Sequence, residues 1–142
     1  RLELMLLALL GPFGILAQAD AQQSAPTMLV GEFVDDYGVR YSISDETWVQ
    51  GGQTRYEVFH WDHEGQFAIV RNGATNPSDA GLWTRIDWLV LEPGSEYEWA
   101  FCYAVYRALD EEEARHAEDS DRSTPRTGCN GFPFSRMRRD GT

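Results

Sequence analysis

Between residues 31 and 106 the chain is written in short alternating runs, each closed by a turn signal. Val39, Tyr41 and Ile43 alternate with Arg40, Ser42 and Ser44. Tyr56, Val58 and His60 alternate with Glu57, Phe59 and Trp61, and Phe67 and Ile69 with Ala68 and Val70. Thr84, Ile86, Trp88 and Val90 alternate with Arg85, Asp87 and Leu89. A period of two is the strand repeat, because successive side chains leave opposite faces of an extended backbone. The runs are also rich in aromatic and β-branched residues, which suit a pleated surface. Gly- and Asp-rich breaks at 35–38, 51–52, 62–65, 72–81 and 92–95 separate them.

The expected strands are 29–34, 39–44, 47–50, 54–61, 66–71, 82–91 and 97–106. Short connections force neighbouring strands to pair antiparallel. The fold class is therefore mainly β: an antiparallel six- or seven-stranded meander, as a small barrel or half-open barrel, with one C-terminal helix. The odd face of 39–43 and the even face of 84–90 are the expected core. The strand at 97–106 is apolar on both faces, so it is central or covered. Asp110 with Glu113 three residues on forms a capping box, and Glu111 and Glu112 suit the first helical turn. That helix is expected to end at 118 or 119. A Gly- and Pro-punctuated coil follows, and 136–142 reads as a flexible tail. There is no internal repeat.

The first residues read as an address. LELMLLALL is an apolar run broken by Gly11, Pro12 and Gly14, too short for the ~20 residues of a membrane span. Small residues around Ala17-Gln18-Ala19 complete a secretory signal peptide over 1–19. Arg1 reads as the end of a basic n-region whose start lies upstream. Residues 20–27 are expected to be a linker, and 28–135 a single β domain. The chain is 142 residues long with 12 basic and 23 acidic residues, a formal charge of −11 that losing Arg1 and Glu3 leaves unchanged. Such a charge argues against nucleic acid and against an anionic membrane surface. The expected location is secreted or periplasmic, an oxidising environment in which Cys102 and Cys129 have one possible pairing. A bridge there ties the C-terminal coil to the strand. It would set Phe132 and Phe134 over the small residues Ala100 and Ala104.

Few residues suggest chemistry. His60, Asp62, His63 and Glu64 are a dense polar cluster, but His60 and His63 sit at odd spacing on a strand and leave opposite faces. The expectation is no metal site and no cofactor. Asp119-Ser120-Asp121 lacks the EF-hand spacing. Arg85 and Asp87 share a strand face flanked by Trp83. They form either a charged pair in a barrel mouth, able to hold a polar ligand, or an ion pair on the outer wall. Trp61 and Trp83 are expected near loop ends, partly exposed and able to stack on a ligand. Arg85, Asp87, Trp83 and Trp61 are thus the candidate ligand-binding residues, with no catalytic residue assigned. The chain contains no G-x-S-x-G elbow, no phosphate-cradling glycine loop and no C-x-x-C.

From Gly31 onward, the stretches GVRYSISDETW, LWTRIDW, FCYAVYRALDEEEA and DRSTPRTGCNGFPF resemble a group of short secreted bacterial β-domain proteins with no assigned function. The most specific is a DRS-x-P-x-TGC-x-GFP-like run. The resemblance implies a single β domain with a Cys-anchored tail and transfers no catalytic residue. GEFVDDYGVRYSIS is also similar to the first hairpin of avidin-like and lipocalin-like barrels, a likeness generic to meanders. The expected function is a secreted non-catalytic β domain that binds a small molecule, a glycan or a protein, or packs on a surface. The alternatives are a small secreted hydrolase using His60, Asp62 or Glu64, and a purely structural envelope module. A side-chain-filled interior favours the structural module; an apolar cavity with Arg85 or Asp87 pointing inward favours ligand binding.

Overall fold

Eight strands close a barrel in a computed structural model that describes residues 24–141, together with Gly11 and Gly14. The expected signal peptide, these two glycines apart, lies outside the described residues, as do residues 20–23 of the linker. The strands are β1 (Gly31–Asp35), β2 (Arg40–Ile43), β3 (Thr47–Gln50), β4 (Thr54–Asp62), β5 (Phe67–Asn72), β6 (Trp83–Val90), β7 (Trp99–Ala108) and β8 (Ser135–Arg139). A short helix α1 (Glu111–Arg115) lies between β7 and β8. Each strand pairs antiparallel with the next, and β8 pairs with both β7 and β1 to close the ring.

The eighth strand corrects the sequence reading, which gave 136–142 to a flexible tail. Three arginines hide it. Met137 is fully buried inside, while Arg136 bonds Asp36 and Arg138 lies 3.9 Å from Glu96. Arg139 shares the inward side of Met137 at the barrel's rim, where its guanidinium lies 4.9 Å from the Phe33 ring centroid and donates to the Val30 carbonyl.

The alternation places Phe33, Tyr41, Ile43, Trp48, Tyr56, Val58, Ile86, Trp88, Trp99 and Phe101 in one buried core. The rings meet edge to face, the favoured arrangement: Phe33 and Trp99 at 5.2 Å, Trp48 and Phe101 at 5.1 Å. Burying an aromatic or large aliphatic side chain stabilises by roughly 1.5–3 kcal/mol, so the interior is the main source of fold stability. Val90, expected in this core, is exposed at the end of β6.

Trp61 is also in the core, fully buried, against the expectation of partial exposure. A β-bulge between Val58 and His60 explains the change. Phe59 faces out, opposite Val58, and the extra residue then shifts the phase so that Trp61 turns inward beside Trp88.

One end of the barrel is covered by the segment preceding β1. Ala25 N–H donates to Asp45, the Ser24 carbonyl meets His63 Nε2 at 2.6 Å, and the 3-10 turn Thr27–Leu29 buries Leu29. Residues 24–27, expected to be linker, are thus docked on the domain. The helix is shorter than expected. Asp110 caps the Glu113 N–H and Glu113 accepts from Leu109 N–H, but the chain leaves the helix at His116. From there 116–134 runs as a strap along the outside of the barrel.

Candidate functional site

The strap is where the candidate residues Arg85 and Asp87 are found. They point outward from β6, as the alternation requires, and the strap buries them. Arg85 Nε donates to Asp87 at 2.8 Å, its Nη1 donates to the carbonyls of Arg115 and Ala117, and its Nη2 pairs with Asp119. The same guanidinium lies 4.1 Å from the Phe67 ring centroid. Asp87 is fully buried and accepts the Ser120 N–H at 2.8 Å. Neither side chain enters the barrel or faces its mouth. The pair fastens the strap: Arg85 holds the carbonyl of the last helical residue, Arg115, and that of Ala117 just beyond it. Trp83 stays half-buried, stacked edge-on with Phe59 at 4.8 Å under Arg71. Trp61 donates its indole N–H to the Asp45 carbonyl in the core. The four residues are therefore not gathered into one pocket.

The DRSTPRTGCNGFPF run is the rest of the fastening. Asp121 accepts from Ser123 and Thr124, and these bonds hold its carboxyl below the usual range. Arg122 reaches over to the carbonyls of Trp88, Gln66 and Gly65. Gly128 admits no side chain, because a Cβ would lie 1.8 Å from the Asp121 carbonyl oxygen. Asn130 takes a left-handed conformation, φ 51°, and donates to the carbonyl of Ala104. Cys129 is bridged to Cys102 as expected. Phe134 is buried against Ala100 and Cys102, whereas Phe132, expected beside it, is 71% exposed.

His60 and Asp62 lie 3.8 Å apart at the β4 end, while His63 turns away to Ser24 and Glu64 stands in solvent. Among the described residues no group of three His, Cys, Asp or Glu is placed to hold a metal ion.

Of the concavities on the described residues, two bring polar groups together with apolar or aromatic surface, at an end of the barrel and beside the strap. At the uncovered end of the barrel, Gln50, Tyr56, Asn72, Tyr103 and Tyr106 line a cavity of about 340 Å³. Its floor is already hydrogen-bonded. Tyr103 OH donates to Gln50 at 2.6 Å and accepts from Trp48 Nε1, and Asn72 accepts from Thr84 while donating to the Asp79 and Tyr106 carbonyls. Burial raises the pKa of Tyr56 and Tyr103, and of Tyr41, whose hydroxyl donates to Asp35. These phenols are neutral at physiological pH.

The second concavity is a groove of about 570 Å³ on the outer wall, between the β1–β2 turn, β8 and the strap. Ala100, Leu91 and Phe134 give it an apolar floor, and Tyr37, 71% exposed, stands at its edge. Arg136, Asp36 and Arg126 supply the charge. Both oxygens of Asp36 are occupied by Arg136, at 3.2 Å to its N–H and 3.0 Å to its Nε, and this bond holds the Arg136 guanidinium above its ordinary pKa. Sequence reasoning missed this site. Its one legible signal is Arg126, whose neighbours Pro125 and Thr127 supply no carboxylate.

Neither a protein-family model, nor a curated protein, nor a solved structure matches this chain.

Proposed function

We propose that the chain is a secreted, non-catalytic β domain that binds a small molecule in the outer groove beside the strap. The observation that carries this reading is where open space lies. The barrel interior is filled with aromatic rings, while the groove combines an apolar floor with a few converging polar groups, the usual make-up of a ligand site. His60, Asp62 and Glu64 line neither the groove nor the mouth, so the hydrolase reading has less support.

The test is a fragment screen on the protein by NMR chemical-shift mapping. A bound fragment should move the amides of Tyr37, Leu91, Ala100, Arg126 and Phe134. Fragments that shift only other regions refute the groove as the site. The filled interior also favours a second reading, a purely structural envelope module; a screen with no binder at any surface supports that one.

The Cys102–Cys129 bridge fits an extracellular or periplasmic location, and among the described residues no helix is long and apolar enough to cross a membrane. Mass spectrometry of exported protein should find a start at Asp20, or at Gln22 for a cut after Ala21. An N-terminus near Arg1 contradicts the signal peptide.

A further inference from the structure

We infer that the groove takes an amphiphilic monocarboxylate, its apolar body on the floor and its carboxylate on Arg126. This rests on the reading of the groove as the binding site. Three side chains on its wall are charged: Asp36, Arg126 and Arg136. Asp36 spends both oxygens on Arg136, and Arg136 also stacks over Tyr97 at 4.5 Å, so that pair is internally satisfied. Arg126 is exposed and has no carboxylate, carbonyl or ring partner among the described residues. The groove wall thus carries one uncompensated positive charge on a protein whose formal charge is −11.

That balance selects the ligand class. A cationic ligand meets no free carboxylate there. A polyanion is repelled by the net negative charge of the protein and finds a single guanidinium without a carboxylate partner. A zwitterion lacks an acceptor for its ammonium group. A monoanion pairs with the planar donor fork of Arg126, which matches a carboxylate. Leu91, Ala100 and Phe134 present carbon to the other end of the molecule, and the exposed Tyr37 ring can close over it. The volume, about 570 Å³, lies in the range of small-molecule sites. A free medium-chain or aromatic carboxylate satisfies each condition.

Octanoate, octanol and octylammonium share the apolar chain and differ in charge, so they separate the two claims. Titrations followed by NMR and calorimetry should show octanoate binding in the groove about two- to fivefold more tightly than octanol, with octylammonium weakest. Arg126→Gln, at an exposed position, should remove the advantage of octanoate without altering the spectrum of the free protein, and Arg126→Lys should restore part of it. Equal affinity for octanoate and octanol in the groove overturns the charge assignment and leaves the site standing. Failure of all three probes to shift groove amides overturns this inference, and if a fragment screen also leaves the groove silent, the site falls with it.

Discussion

Replacing both Cys102 and Cys129 with alanine tests how the bridge stabilises the barrel. Its ends are separated by 27 residues, and the chain-entropy relation then gives about 3.5 kcal/mol, lost through an unfolded ensemble that is no longer cross-linked. The folded strap has independent anchors: Arg85 on the Arg115 and Ala117 carbonyls, Asp87 on Ser120, Arg122 on Trp88 and Gln66, and the buried Phe134 ring. It should therefore stay docked in the variant. Urea unfolding should show a stability loss of about 3–4 kcal/mol and a steeper denaturant dependence, because the unfolded chain exposes more surface. Native-state hydrogen exchange at Phe132 and Phe134 should speed up only in step with the fall in global stability. A loss under about 1 kcal/mol with an unchanged slope refutes the unfolded-state mechanism. Strap amides exchanging freely while the barrel stays protected would show that the bridge, and not the polar anchors, holds the strap in place.

Asp87→Leu removes one of the two carboxylates on the buried Arg85 guanidinium, Asp119 keeping the other, together with the acceptor for Ser120, and should cost about 2–3 kcal/mol by chemical denaturation, with Arg85→Met/Asp87→Leu costing less than the two single changes added. Gly128→Ala drives a methyl group into the Asp121 carbonyl and should cost about 1–3 kcal/mol, seen as a lower urea midpoint; an unchanged midpoint would mean that the strap yields freely. Burial raises the pKa of Tyr41, Tyr56 and Tyr103, whereas unfolded phenols ionise near about pH 10. Below that pH both states keep the proton and stability is unaffected; as pH rises beyond it, the unfolded state ionises first and stability falls towards the folded values. Urea melts at increasing alkaline pH should track this decline, and a flat profile would contradict the burial of these hydroxyls.

Seven of the strands were legible because each carries two or more apolar residues, in alternation along most of them, with Gly or Asp in the turns between. The eighth was not, since β8 contributes one apolar side chain, Met137, among three arginines, and its pairing with β1 lies about a hundred residues away. Alternation also mislocated Trp61, because a bulge is a local change of phase that composition does not announce. The outward direction of Arg85 and Asp87 was one of two readings left open; what the sequence did not reveal was their cover, which comes from residues 30 or more positions downstream. The groove shares that difficulty. Its wall is gathered from β7, β8, the β1–β2 turn, Leu91 beyond β6 and the strap, short pieces that lie far apart in the chain.

The seam that closes the ring aligns Phe33 with Arg139 and Asp35 with Met137. A barrel closed by such distant partners has a high contact order, and contact order governs folding speed more than stability does. Until β8 arrives, β1 and β7 are both open edges with their backbone donors and acceptors unpaired, a template for pairing between chains. Chains cut short before Ser135 should therefore self-associate through these edges, even with every aromatic residue of the interior still present.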